Sequence, residues 1–172
     1  MKYTYLIWDF DGTLFDTYPA LNEAIRLGLA DLGVTGSTEE AVGQLLSETL
    51  SYCLEQLAAQ YALDPAALDA AASVHHEKMP LEAQGPFPGV REVCEQIINA
   101  GGQNYIITHR GHASLFEYLN LHHMAGLFAD CITRNDGFPR KPDPAAFIAL
   151  LQRHQLSGED GLSIGDRNLD VR

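Results

Sequence analysis

The chain has 172 residues, 46% of them hydrophobic and 20% charged, with a net charge of −12. That composition suits a folded globular protein with one core and room for a small inserted unit, and it excludes a binder that works through nucleic-acid phosphates, because no Lys/Arg cluster supplies a basic face. No apolar run is long enough to cross a membrane, and the first one is short and meets Asp9, so it does not read as a secretory leader.

Residues 3–8 read as a short buried strand rich in aromatics. It runs into DFDGT at 9–13, where Asp9 and Asp11 stand one residue apart and Gly12 breaks the strand. Carboxylates that close repel unless positive charge sits between them. The grammar then turns helical. Pro19 suits a first turn, and Leu21, Ile25, Leu29 and Leu32 follow at helical spacing. Ser37 or Thr38 can cap a helix over 39–46. Leu50, Leu54, Leu57 and Tyr61 mark the next, and Asp64-Pro65 opens another running to about Met79. Residues 17–84 hold ten acidic and two basic residues, a net of −8, so this stretch has a surface unlike the rest.

Gly85-Pro86-Phe87-Pro88-Gly89 is a clear break. Beyond it, elements alternate: a helix over 90–100 with Val90, Val93, Cys94, Ile97 and Ile98 as its apolar face, a strand at 104–108, and a helix at 112–119. A strand at 130–133, a helix opened by Asp143-Pro144 and ending near His154, and a strand at 161–165 follow. This alternation predicts an α/β fold, a doubly wound parallel sheet with an all-helical insertion after the first strand. The predicted organisation is a Rossmann-like core at 1–16 and 85–172 with a helical unit at 17–84. In such sheets ligands bind at the carboxyl ends of the strands. Those ends here carry Asp9 and Asp11, Thr108, Thr133–Asp136 and Asp166, with Lys141 just beyond the third and Asp170 within a helical turn of Asp166. Clustered carboxylates on rigid backbone favour a hard cation, and Mg²⁺ is the natural choice. Lys141 would supply the remaining positive charge.

The four motifs DFDGT at 9–13, Thr108 ending an apolar strand, Lys141 in KPDP, and GDRNLD at 165–170 resemble, in order, those of the haloacid dehalogenase superfamily on its phosphatase side. The resemblance spans almost the whole chain. It implies that Asp9 is a nucleophile forming an aspartyl phosphate and that Asp11 protonates the leaving alcohol and then activates water. It implies that Thr108 and Lys141 hold the phosphoryl group. Asp9, the Asp11 carbonyl and Asp166 would bind Mg²⁺, with Thr13 and Asp170 in support. Backbone N–H groups around Phe10–Gly12 and at His109 would cradle the transferring group, and 17–84 would be the family's helical cap. Asp11 favours phosphoryl transfer, since dehalogenase members lack this acid/base. The implied function is hydrolysis of small phosphorylated metabolites in the cytoplasm, phosphoglycolate phosphatase-like, by an enzyme with no nucleic-acid or membrane partner. A β-phosphoglucomutase-like mutase is the alternative within the family, and an inactive binding module the alternative outside it.

Several residues carry a plainer reading beside the functional one. Asp9 and Asp11 alone would be two exposed acids in a turn, Thr108 a strand terminus, Lys141 a solvated lysine, and Asp166 and Asp170 a turn and a cap. Arg110 suits a substrate carboxylate or phosphate, or a structural ion pair to the acidic insert; both stay open. Arg26 suits a surface pair. Tyr18 faces a pocket or packs. His75-His76 and His122-His123 point different ways on a helix and lack metal-ligand spacing. Cys53, Cys94 and Cys131 are far apart and read as reduced thiols, Cys53 and Cys94 in apolar helix stripes. No GxxxxGK[ST] motif occurs. The chain stops two residues after Asp170, where the family continues, which is read here as C-terminal truncation.

Overall fold

A computed structural model describes residues 3–167 and 170. Asn168 and Leu169 of the GDRNLD motif lie outside the described residues. The chain divides into two compact units, Met1–Asp16 with Gly85–Arg172, and Thr17–Gln84.

The first unit is built on four parallel strands. They are β1 (Tyr5–Trp8), β2 (Gln103–Ile107), β3 (Asp130–Ile132) and β4 (Gly161–Ile164), in the order β3-β2-β1-β4. All four β1 residues are buried, as a central strand requires. The helices are α5 (Val90–Asn99), α6 (His112–Leu121) and α7 (Ala145–Arg153). The register aligns the strand ends: Trp8 lies opposite Ile106 and Ile164, and Ile107 opposite Ile132. The ladder continues one residue further, with the Asp9 N–H on the Ile164 carbonyl at 2.8 Å and the Thr108 N–H on the Ile132 carbonyl at 2.9 Å. Asp9 and Thr108 are therefore fixed by sheet hydrogen bonds rather than left on mobile loops.

On one side of the sheet Tyr5, Ile7, Tyr105, Ile107 and Ile132 pack with Ala146 and Leu150 of α7. In α5 the buried stripe is Val90, Cys94 and Ile97, while Val93 and Ile98 are each 40% exposed. The five-residue apolar face predicted for this helix is thus corrected: i, i+4 and i+7 meet the core, and the flanking positions do not. α7 starts at Ala145, with the Asp143 carboxylate accepting the Ala145 N–H at 2.9 Å. Asn104 is a buried polar residue within β2. Its carbonyl oxygen accepts from Trp8 Nε1 at 3.1 Å, and its amide donates to the Cys94 and Leu127 carbonyls at 2.9 and 3.2 Å.

The second unit comprises α1 (Tyr18–Asp31), α2 (Glu39–Leu46), α3 (Leu50–Tyr61) and α4 (Pro65–His76). Thr38, Thr49 and Asp64 cap the last three through their side chains. Its core gathers Ile25, Leu29, Val42, Leu46, Leu57 and Leu68. α1 crosses α4 so closely that a Cβ on Gly28 would lie 2.7 Å from the Ala72 nitrogen. α4 ends at His76, three residues short of the predicted Met79. Among the described residues no helix is long and apolar enough to cross a membrane.

Asn104→Leu would strip the buried Trp8 indole N–H of its acceptor and take a donor from the Cys94 and Leu127 carbonyls. It should lower unfolding free energy by roughly 2–4 kcal/mol, given about 1–3 kcal/mol per buried unsatisfied group. Denaturant unfolding checks this; a change under about 1 kcal/mol would show that other partners take over.

Candidate active site

The turn after β1 is anchored on a backbone carbonyl. Leu14 and Phe15 both donate to the Phe10 carbonyl at 3.0 Å. Gly12 has φ +77, a left-handed conformation that favours glycine, and its N–H donates to the Phe15 carbonyl at 2.9 Å. That bond corrects one expectation: the Gly12 N–H is engaged inside the turn, and the residue's contribution is the turn itself. Phe10 and Phe15 stack at 4.5 Å, and Tyr118 meets both edge-on at 5.7 and 5.8 Å. The acidic turn therefore rests on a buried aromatic platform.

Lys141 is at the centre of the site. Its side chain is 3% exposed. Its ammonium donates to Asp9 Oδ1 at 2.7 Å, to the Ile107 carbonyl at 3.2 Å and to Asp170 Oδ1. Three acceptors match the three donors of an ammonium. Asp170 is itself buried, and its other carboxylate oxygen accepts the Arg167 N–H at 3.2 Å. Burial pushes the Asp9 carboxyl up to about 6; Lys141 pulls it back, while Asp170 and Asp11 push it further.

Asp9, Asp166 and Asp170 each bring a carboxylate oxygen within 4.8 Å of the others. Among the described residues this is the one such grouping of His, Cys, Asp or Glu. Two of the three, Asp9 and Asp170, share the Lys141 ammonium, and the hard oxygen donors of the group fit a cation such as Mg²⁺. Thr13 Oγ1 donates to Asp166 Oδ1 at 3.2 Å. Asp170, expected only as a supporting residue, belongs to the carboxylate group itself, whereas the Asp11 carboxylate points elsewhere. A Cβ on Gly165 would fall 2.3–2.5 Å from the Asp170 side chain, so the glycine leaves the space that Asp170 occupies.

The Asp11 carboxylate lies on Arg110. Arg110 Nη2 donates to Oδ1 and Nε to Oδ2 at 3.4 Å. Arg110 Nη1 donates to Ser114 Oγ at 2.8 Å, and the guanidinium carbon lies 5.1 Å from the Phe10 ring centroid and 4.6 Å from that of Tyr118. The Arg110 side chain is 11% exposed. The sequence offered a substrate anion or the acidic insert as its partner; the structure gives it Asp11. Its N–H donates to Thr108 Oγ1 at 3.1 Å, which leaves the Thr108 hydroxyl proton to be donated elsewhere. Lys141 is followed across the loop by His109, whose Nε2 accepts the Lys141 backbone N–H at 2.9 Å. Burial, with the charges of Lys141 and Arg140, pushes the His109 imidazole down to about 4; Asp170 opposes this and Arg167 adds to it. Thr108, His109 and Lys141 line a cavity of about 350 Å³ together with Thr133, Arg134 and Arg140.

Other singled-out residues make pairs of their own. Thr133 and Asp136 bond each other in a capping box. Arg26 pairs with Glu23, and His75 with Asp31 at 2.7 Å. Cys53 and Cys94 are buried and Cys131 half-buried, all three free. Sequence reasoning missed the His109 ring and Asn104, and although Gly165 stands in the quoted GDRNLD motif, its part in making room for Asp170 shows only in the fold.

The model of the haloacid dehalogenase-like hydrolase family matches residues 6–172. A phosphoglycolate phosphatase of Photobacterium profundum is 30% identical over 97% of this chain and 76% of its own length. A hydrolase of Streptococcus pneumoniae is 32% identical, with a TM-score of 0.69 over 99% of this chain and 87% of that one. A Thermotoga maritima protein provisionally named beta-phosphoglucomutase is 21% identical, with a TM-score of 0.73 over 92% of this chain and 74% of its own.

The neutral His109 ring gives the site a pH signature. Its ordinary value is 6.5 and its folded value about 4, so the unfolded chain takes up the proton first as pH falls. Its contribution to stability is full above about 6.5 and is lost as pH drops toward about 4. The unfolding midpoint of the wild type should fall more steeply across that window than that of His109→Gln. Parallel curves would refute the assignment.

Proposed function

The chain belongs to the haloacid dehalogenase-like hydrolases, and we propose that it works there as a Mg²⁺-dependent phosphatase of small phosphate monoesters, acting in two steps through Asp9. The observation that carries this reading is the buried Lys141 ammonium bridging Asp9 and Asp170 at the carboxyl edge of the sheet. A carboxylate so paired is held in one orientation, with one oxygen on the ammonium and the other left to attack phosphorus. The attack gives an aspartyl phosphate and expels an alkoxide. Asp11 gives that alkoxide its proton, then takes one from the water that hydrolyses the intermediate. Thr108 donates its hydroxyl proton to a phosphoryl oxygen, and Lys141 offsets the charge building on the phosphoryl group. Backbone N–H groups of Phe10, Asp11 and His109 complete the cradle. Mg²⁺ bound by Asp9, Asp166 and the Asp11 carbonyl, with Asp170 beside them, would add Lewis-acid neutralisation of the phosphoryl oxygens.

Phosphoglycolate is the first substrate to try, on the strength of the named relatives. The unit at 17–84 is proposed as the family's helical cap domain. Three unpaired cysteines support a cytoplasmic setting. A second reading, a sugar-phosphate mutase, is favoured by the fold likeness to the Thermotoga protein. It would use the same residues but return the phosphoryl group to a sugar.

The test is phosphate release from phosphoglycolate, a panel of small phosphomonoesters and a generic aryl phosphate. Turnover should require Mg²⁺, stop with a chelator, and fall by at least about 10³-fold in Asp9→Asn, as loss of a nucleophile does. Turnover that survives in Asp9→Asn would overturn the reading. Isomerised sugar phosphate from a hexose bisphosphate, with no free phosphate, would favour the mutase.

A further inference from the structure

Lys141 reaches Asp9 and Asp170 from a stretch that belongs to no helix or strand. Residues 137–143 form neither helix nor strand. Within them the Asp143 N–H closes on the Arg140 carbonyl at 3.1 Å, and nothing in the sheet ladder holds Lys141. Its backbone N–H goes instead to the ring of His109, at 2.9 Å. His109 directly follows Thr108, which the sheet ladder fixes. The contact therefore ties the loop that carries the ammonium to the rigid end of β2.

We propose that His109 is a positioning residue, whose Nε2 lone pair holds the Lys141 backbone N–H and so sets the depth at which the ammonium meets Asp9 and Asp170. Two conditions follow. The ring must be neutral, which its burial favours, with the charges of Lys141, Arg140 and Arg167 acting the same way and Asp170 opposing them. The tautomer must carry its proton on Nδ1, because Nε2 is the acceptor. The proposal rests on the reading of Lys141 and Asp9 as catalytic groups, and it adds a residue whose side chain the four motifs leave unassigned.

Three measurements on the full chain test it. The two-bond ¹H–¹⁵N correlations of the wild-type imidazole should show Nδ1 protonated and Nε2 bare at neutral pH. Hydrogen exchange at the Lys141 amide should be slow in the wild type and faster in His109→Leu, which keeps bulk but has no acceptor. With Mg²⁺ and saturating aryl phosphate, kcat should fall about tenfold or more in His109→Leu, as sub-ångström misplacement of a catalytic group does. His109→Gln, whose amide oxygen can take the place of Nε2, should recover most of it and restore slow exchange. A proton on Nε2, or Leu and Gln variants with the same kcat and the same Lys141 exchange, would overturn the proposal. Lys141→Met separates the two levels. If it stays active, the catalytic reading has failed. If it is inactive while His109→Leu keeps wild-type kcat and Lys141 exchange, only this inference has failed. The tautomer measurement needs no variant, so it decides even where a variant does not fold.

Discussion

A single ammonium group holds the carboxyl edge of this sheet together. A buried charge is costly unless its hydrogen-bonding capacity is filled, and Lys141 fills all three donors: Asp9 from the end of β1, the Ile107 carbonyl from β2, and Asp170 from the segment after β4. Those acceptors come from three separate stretches of chain. Without Lys141, Asp9 and Asp170 would face one another as buried like charges. Without either acid, the ammonium would be stranded in a place where it is 3% exposed. The site is therefore cooperative: each charge makes its neighbours tolerable. The surplus of carboxylates over ammonium is the feature that fits a divalent cation.

The end of β2 distributes itself over the rest of the site. Three consecutive residues address three different partners. Thr108 stays in the sheet ladder and offers its hydroxyl, the His109 ring takes the Lys141 amide, and the Arg110 guanidinium takes Asp11. The backbone bends at His109 and Arg110, with the Arg110 N–H on Thr108 Oγ1, so the three side chains leave the strand end towards different partners. The aromatic platform of Phe10, Phe15 and Tyr118 supports the arrangement from below. Phe10 and Tyr118 both pack against the same guanidinium that binds Asp11. The acidic turn and its cation thus share one rigid support, which is what precise placement of reacting groups requires.

The parallel sheet and the strand ends were legible because their signals are local. Four short apolar runs each stopped at a polar residue, and the Gly85-Pro86-Phe87-Pro88-Gly89 break falls where the chain re-enters the first unit. Asp9, Asp11, Thr108 and Asp166 could be singled out because each follows a strand, whereas Lys141 stands out from a solvated lysine through the resemblance of its KPDP motif to the family's. What the sequence hid were choices of partner. Arg110 looked equally suited to several anions, and only the fold sets it against Asp11. Gly12 looked like an N–H donor to a ligand, but the tight turn uses that group itself. Asn104 sits in an apolar strand with no local reason to be polar; its reason is Trp8, 96 residues away. The apolar face of α5 was read too wide, because periodicity marks a stripe without saying how far the neighbouring core reaches around it.

Asp9 and Asp11 are neighbours in sequence that do not share an environment. Asp9 is 10% exposed in its side chain and answers to Lys141; Asp11 is 29% exposed and answers to Arg110. Each carboxylate has a cation of its own from a different loop, although only one residue separates them and Asp11 still pushes Asp9 upward. Two acids with one environment would compete for the same proton and the same counter-ion. Two acids with separate counter-ions and unequal access to water can be given different tasks. That asymmetry makes the proposed division between a nucleophile and a proton carrier chemically reasonable. It also means that the two roles are set less by the aspartates than by the lysine and the arginine that hold them.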